Sequence, residues 1–368
     1  MGGTGLEHAS TSLDTFPKYL LLNAERFADR PAMRHKDYGI WQSWTWAQQR
    51  DEIRAFAIGL QELGLRHGDK IAIVGANRPR LYWTFAAAQS IGAVPVPVYS
   101  DAVAEEMSYV LDHAGVKFAV VQDQEQVDKV QSFRDQIPAL THVIYDEPRG
   151  LRDYSHDGLS DFGAVKARGV AAMQADGRRA GLWEEGIRNA SGDDVTVMLY
   201  TSGTTGRSKG VMITAAGAVE AAVGTATFDQ LNEKDSVLAY LPLAWVGDHY
   251  LNYAQGYVSG LCMNCPESQQ TVAQDLREIG PTFYFAPPRV FESLLTSVTI
   301  RMEDGGRFKK WMFRKFIDVA RRHGEAILEK RPVPLSGRLA YCLGEFLLYG
   351  PLKNVLGMSN IRVAYTAG

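Results

Sequence analysis

Residues 200 to 210 read YTSGTTGRSKG, a run of eleven that holds five serine or threonine hydroxyls, three glycines and a single lysine. A surface turn between two strands explains the glycines but not the hydroxyls. The chemistry that asks for all of them is the holding of a polyphosphate. Glycines let backbone N–H groups approach phosphate oxygens, hydroxyls add donors, and a lysine supplies a mobile positive charge. The run departs from the nucleoside-triphosphate loop GxxxxGK[ST]: counted from Gly203, Ser208 precedes Lys209 and Gly210 follows it. The β-like GVMIT comes next rather than a helix opening on the lysine, so no helix N-terminus is expected to hold the anion.

Such a loop needs a frame, and the pattern around it is α/β. After a short N-terminal helix and extended pieces over 31–46 with a turn at Asp37 to Gly39, helices are expected over 46–63, 79–90, 102–114 and 124–136. They lead into the strands KIAIVGAN, AVPVPVY, KFAVVQD and HVIYD. Strands alternating with helices of this length predict a mostly parallel sheet covered by helices. Residues 146–193 break the rhythm and read as a connecting region with one or two surface helices. Beyond them, DDVTVMLY and GVMIT flank the loop as strands. Alternation then resumes with a helix over 215–228, strand SVLAYLP, a helix near 247–256, strand YVSGLCMN, a helix over 271–279 and strand TFYFAPP.

A chain of 368 residues with 39 Lys plus Arg against 42 Asp plus Glu has a net charge of −3, which points to a small partner and to no nucleic acid. Three cysteines, Cys262, Cys265 and Cys342, and the lack of a basic and apolar leader predict a reducing, cytoplasmic location. The uncharged stretch from Leu81 to Ser100 contains Pro95 and Pro97 and reads as a soluble helix and strand. The CxxC of Cys262 and Cys265 has no second pair, so packing in a strand is favoured over a metal or redox site.

YTSGTTGRSKG closely resembles the phosphate-binding signature [YF]TSGTTGxPKG of the adenylate-forming superfamily, which includes acyl-CoA synthetases, luciferases and peptide-synthetase adenylation domains. In chain order, DKIAIVGANRPRLYWTFAAAQSIGAVPVPVY resembles that family's first α/β segment, LPLAWVGDHY its second core motif, and PTFYFAPPRVFE (Pro281 to Glu292) the segment usually read PTxxxxVPRxxE. The likeness runs over residues 10 to 368. The long stretch at 301–358 is similar in layout to the long-chain fatty acyl-CoA synthetase type. The resemblance implies two packed α/β subdomains of a large domain, with mostly parallel sheets flanked by helices. The first would be 1–192 with the connecting region, and the second 193–368 with the phosphate loop and the helical insert 301–358.

It also implies a reaction. A carboxylate, a fatty acid or another acid, attacks the α-phosphorus of ATP with Mg2+ present, and coenzyme A then takes the acyl group. By resemblance, Thr201, Ser202, Gly203, Thr204, Thr205 and Gly206 cradle the β- and γ-phosphates, Lys209 adds charge for the departing pyrophosphate, Thr201 joins the magnesium shell, and Gly368 lies at the adenine. Trp245 stands where many relatives have histidine and is expected to wall the acyl pocket, with Gly247 beside it on the substrate side. His249 fits either a displaced substrate-site imidazole or a core histidine, the core being favoured. Arg207 and Ser208 replace the family's apolar residue and proline, which leaves Arg207 either on phosphate or in solvent. MITAAG replaces the common MxTHxN.

The family's later motifs, its hinge and its small C-terminal domain lie past Gly368, so the resemblance is to an N-terminal portion, and the 368-residue chain is expected not to complete acyl-CoA synthesis alone. A noncatalytic nucleotide-binding module of the same fold, or an adenylating enzyme for a different acid, remain open alternatives. The basic stretch 307–331 fits a helix packed on its own domain, the favoured reading, or a peripheral contact with the inner face of an anionic membrane. Oligomeric state and acyl chain length have no signal in the sequence.

Overall fold

Capped helices alternating with short apolar strands build the first of the two units into which the chain divides, Met1–Asp235 with Ala239–Gln269; the second is Ser236–Leu238 with Gln270–Gly368. The computed structural model describes residues 12–201 and 207–367. Helix α1 (Phe16–Arg26) opens at Thr15, whose hydroxyl accepts the Lys18 N–H at 3.4 Å. Strands β1 (Pro31–Asp37) and β2 (Ile40–Thr45) form an antiparallel hairpin that closes at Asp37 and Ile40. Helix α2 (Trp46–Glu62) starts in a capping box: Thr45 Oγ1 accepts the Gln48 N–H at 3.3 Å while Gln48 Oε1 accepts the Thr45 N–H at 2.9 Å.

The expected alternation follows: β3 (Lys70–Val74), α3 (Pro79–Ser90), β4 (Val94–Val98), α4 (Ala104–Ala114), β5 (Val116–Val121), α5 (Gln124–Gln131), β6 (His142–Tyr145) and β7 (Leu159–Asp161). The strands pair in the order β4-β3-β5-β6-β7, every pair parallel, with Val74 beside Val98 on one side and Val121 on the other. Pro95 and Pro97 fall on β4, the edge strand, where a missing donor is tolerated. Both faces of such a sheet are covered, and Ala72, Val74, Val96, Val116 and Val121 are fully or almost fully buried.

Residues 146–193 hold the two mostly exposed helices expected there and, beyond that expectation, a strand. They supply β7 to the sheet, then α6 (Phe162–Ala175) and α7 (Arg179–Arg188). Helix α6 lies directly on α2 because each offers a glycine to the other. A Cβ on Gly59 would fall 2.1 Å from the Val165 carbonyl oxygen, and one on Gly169 would fall 1.9 Å from that of Ala55. Phe56 and Phe162 stack across the contact with ring centroids 3.8 Å apart.

Strands β8 (Val195–Thr201) and β9 (Lys209–Thr214) are antiparallel, and α8 (Ala215–Phe228) follows from a Thr214 cap. After β10 (Ser236–Leu238), which belongs to the second unit, α9 (Val246–Asp248) widens through a π-helical turn, His249–Ala254, into α10 (Gln255–Ser259). Tyr257 to Ser259, expected to begin a strand, complete this helix instead. Gly260, at φ +75°, ends it, and β11 (Cys262–Cys265) then pairs in parallel with β1. Both cysteines of β11 are buried free thiols, and burial pushes Cys262 up to about 11 and Cys265 well above the usual thiol range, as packing requires.

In the second unit, α11 (Val272–Ile279) leads to β12 (Phe283–Phe285). Helix α12 (Pro288–Glu303) follows and runs into the helical insert expected at 301–358, which holds α13 (Arg307–Leu328), α14 (Leu335–Gly344) and α15 (Gly350–Val355), before β13 (Val363–Tyr365). β12 pairs in parallel with β10 and β13. Helix α13 packs Phe313 and Phe316 against Leu348, while Phe308 and Trp311 stay exposed beside Lys315, whose ammonium lies 5.3 Å from the Trp311 ring centre. No helix among the described residues is long and apolar enough to cross a membrane.

Candidate functional site

The polyphosphate loop is the tip of the β8/β9 hairpin. Thr201 pairs directly with Lys209, and Tyr200 with Gly210. Directly opposed residues of an antiparallel pair point to the same face, so the Thr201 hydroxyl and the Lys209 ammonium leave the sheet on one side, both exposed. Lys209 has no carboxylate partner among the described residues. Gly210 leaves room for the Met198 side chain, whose Cε would lie 2.1 Å from a Cβ there and would have to swing aside. Ser202, Gly203, Thr204, Thr205, Gly206 and Gly368 lie outside the described residues.

Arg207 is exposed and also rests on an aromatic ring. Its guanidinium sits 5.3 Å over the ring of Tyr109 on α4. The Tyr109 hydroxyl donates to the Ser208 carbonyl at 3.2 Å, and one turn on, His113 Nδ1 lies 2.7 Å from the Tyr200 hydroxyl. Burial, and to a lesser degree Tyr109, pushes the Tyr200 phenol up to about 12, so it remains protonated at neutral pH. The departing strand and the returning one are thus both held to α4. Tyr109→Phe removes one hydrogen bond worth about 1 kcal/mol. Amide exchange across 207–210 should accelerate roughly fivefold as a result, read by mass spectrometry; an unchanged rate removes the tie.

The second motif gathers around α9. Trp245, half-buried, lays its ring over Gly247, where a Cβ would stand only 1.9 Å from Cζ3 and 2.0 Å from Cη2. The tryptophan and the glycine are therefore one feature: any larger residue at 247 displaces the indole. Asp248 turns inward and is fully enclosed. Tyr82 Oη donates to its carboxylate at 2.8 Å, and Asn252 Nδ2 and Asn77 Nδ2 reach Oδ1 at 2.6 and 3.1 Å. All three partners are neutral, and burial raises Asp248 to about 7.

Asp248 was not singled out from the sequence, although an acid in VGDHYLNYA with an asparagine four residues on is the available sign. It ties α9, and with it the Trp245 and Gly247 pair, to α3. His249 points elsewhere. Its ring is 5.2 Å from Tyr253, 5.9 Å from Phe85 and 6.1 Å from Phe16, and neither ring nitrogen has a hydrogen-bond partner among the described residues. Burial lowers it to about 4, so it is neutral at pH 7. The structure brings Thr201 together with Lys209, and Trp245 with Gly247, and sets His249 among aromatic rings.

The AMP-binding enzyme family matches residues 21–348. The sequence is 25% identical to long chain acyl-CoA synthetase 5 of Arabidopsis thaliana over 368 residues, covering 96% of this chain and 51% of that protein. It is 27% identical to the long-chain-fatty-acid–CoA ligase FadD15 of Mycobacterium bovis over 332 residues, 90% of this chain and 52% of that one. The fold is similar to that of a long-chain-fatty-acid-CoA ligase (FadD1) from Archaeoglobus fulgidus, with a TM-score of 0.62 at 17% identity over 77% of this chain and 53% of that one. The chain spans about half the length of the curated relatives it matches.

Proposed function

The chain belongs to the AMP-binding enzyme family, and on that premise we propose that it is the N-terminal part of an ATP-dependent ligase that joins a long-chain fatty acid to coenzyme A. The observation that carries the nucleotide half is the hairpin: a hydroxyl and an ammonium, the latter without a carboxylate partner among the described residues, on one face, at the two ends of a run of glycines and hydroxyls. The curated long-chain relatives support the fatty acid. In the proposed reaction a carboxylate oxygen bonds to the α-phosphorus of ATP as the bond to the bridging oxygen breaks and pyrophosphate leaves. The coenzyme A thiol then attacks the acyl carbon, and AMP departs with the electron pair.

Lys209 balances charge on the departing pyrophosphate, and the hydroxyls and amides between it and Thr201 supply hydrogen bonds. Thr201 is proposed for the magnesium shell. Its exposed hydroxyl suits an ion that keeps several waters and takes its other oxygens from phosphate. Trp245, held over Gly247 and anchored through Asp248, is proposed as a wall for the acyl chain.

Exchange of labelled pyrophosphate into ATP, by the product of the complete gene with a panel of aliphatic and aromatic acids, tests this. Exchange should depend on a long-chain acid and fall about a hundredfold in Lys209→Ala, the scale of losing a group that stabilises developing charge. Exchange driven only by an aromatic acid reassigns the substrate. No exchange with any acid, or a Lys209→Ala protein as active as the original, leaves a nucleotide-binding module without the reaction.

A further inference from the structure

The second unit holds a cavity of about 490 Å3 under the helical insert, within the range of about 300–1,000 Å3 typical of small-molecule sites. Its walls are hydrocarbon: Leu276 from α11, Val298 and Met302 from α12, Met312 from α13, and Leu352 and Leu356 from the α15 end. The chain after α15 packs on α11, whose Leu276 and Arg277 line the cavity. At Gly357, φ +74°, the backbone presses on α11 so closely that a Cβ would stand 2.5 Å from the Leu276 carbonyl oxygen.

The rim is of the opposite character. Arg277, Arg301 and Lys309 all border the cavity and are exposed. The nearby acid, Glu303, is engaged by Arg314 at 2.9 Å and Lys310 at 4.0 Å, and neither Arg301 nor Lys309 has a carboxylate partner among the described residues. Arg277 donates through Nε to the Ala273 carbonyl at 2.9 Å and keeps its other guanidinium donors. An apolar hollow favours hydrocarbon, and cations without a carboxylate partner favour an anion. A molecule that satisfies both has one hydrocarbon chain and one anionic head.

We propose that this cavity binds a single-chain lipid anion, its tail against Val298, Met302 and Leu352 and its carboxylate or phosphate head at Arg277, Arg301 and Lys309. The site belongs to the second unit and the phosphate-loop hairpin to the first, so the proposal stands whether or not the hairpin holds nucleotide.

The test is photolabelling of the whole 368-residue chain with a C16 fatty acid carrying a diazirine near its tail end, followed by peptide mapping. Label is expected on peptides from 294–312 and 347–356. Oleate or oleyl phosphate should compete at least tenfold better than oleyl alcohol, and whichever anion is stronger identifies the head as carboxylate or phosphate. The double variant R301E and K309E, both at exposed positions, should reduce labelling at least tenfold. Val298→Trp, which fills the hollow and leaves the cations, should do the same. Lys209→Ala should label like the original. Label elsewhere, oleyl alcohol competing as well as oleate, full labelling of the charge-reversed protein, or loss of label in Lys209→Ala would each overturn the proposal.

Discussion

Gly169→Val should destabilise the first unit by more than about 3 kcal/mol, and Gly59→Val by a similar amount, at the severe end of overpacking. The Cβ of any residue at 169 begins 1.9 Å from the Ala55 carbonyl oxygen, well inside contact distance, and the second close atom is the Gly59 backbone nitrogen at 2.7 Å. Neither is the end of a flexible side chain that could swing away. The helices must part by more than an ångström, which also separates the stacked Phe56 and Phe162. Gly186 on α7 is the control: a Cβ there meets nothing within 4 Å. Gly186→Ala should stabilise by roughly 0.5–1 kcal/mol, since alanine restricts the unfolded chain and favours the helix. Urea midpoints of the three variants decide the matter. The effects should differ in sign, and a Gly169→Val protein as stable as the original would mean that α2 and α6 do not meet in this way.

Those glycines also show where the sequence was and was not legible. KIAIV, VPVPV and FAVV declare buried parallel strands by themselves, because each is a short β-branched run between helices with caps or a proline start. The β8/β9 hairpin was equally readable, since GVMIT returns directly after the lysine. Gly59 and Gly169, by contrast, read locally as weak points in helices, and only the partner backbone gives them a role. The same limit applied around the site. Arg207 offered phosphate or solvent as its surroundings because Tyr109, whose hydroxyl reaches Ser208, lies 99 residues before that serine. Asp248 was passed over because Asn77 and Tyr82 stand 171 and 166 positions away from it. Local pattern specifies elements well, whereas a buried polar group is specified by partners that the fold delivers from a distance.

Asp248 and His249 are neighbours in sequence with opposite titrations, and separating them should reveal two opposed pH dependences of stability. Asp248 has a folded value of about 7; an unfolded aspartate titrates near 3.9. Between these limits the folded state binds the extra proton, so this group's contribution falls as pH rises from about 4 to about 7, by ~4 kcal/mol in all. His249 has a folded value of about 4, against about 6.5 when unfolded. Between those limits the unfolded state binds the extra proton, so its contribution rises over pH 4 to 6.5, by ~3 kcal/mol. In the natural protein the two slopes largely cancel. Asp248→Asn preserves the neutral hydrogen-bonded shape and removes the first slope, so its stability relative to the original should climb steadily from pH 4 to pH 7. His249→Phe fits the ring neighbours Phe16, Phe85 and Tyr253 and removes the second slope. Its advantage over the original should be greatest at pH 4 and shrink as pH approaches 6.5. Urea unfolding of each variant against the original at pH 4, 5.5 and 7 reads both differences and subtracts the common titration of surface carboxylates. Flat differences would mean that water reaches both groups in the folded chain, and with it that Asp248 does not fasten the Trp245 helix to α3 as an enclosed carboxyl.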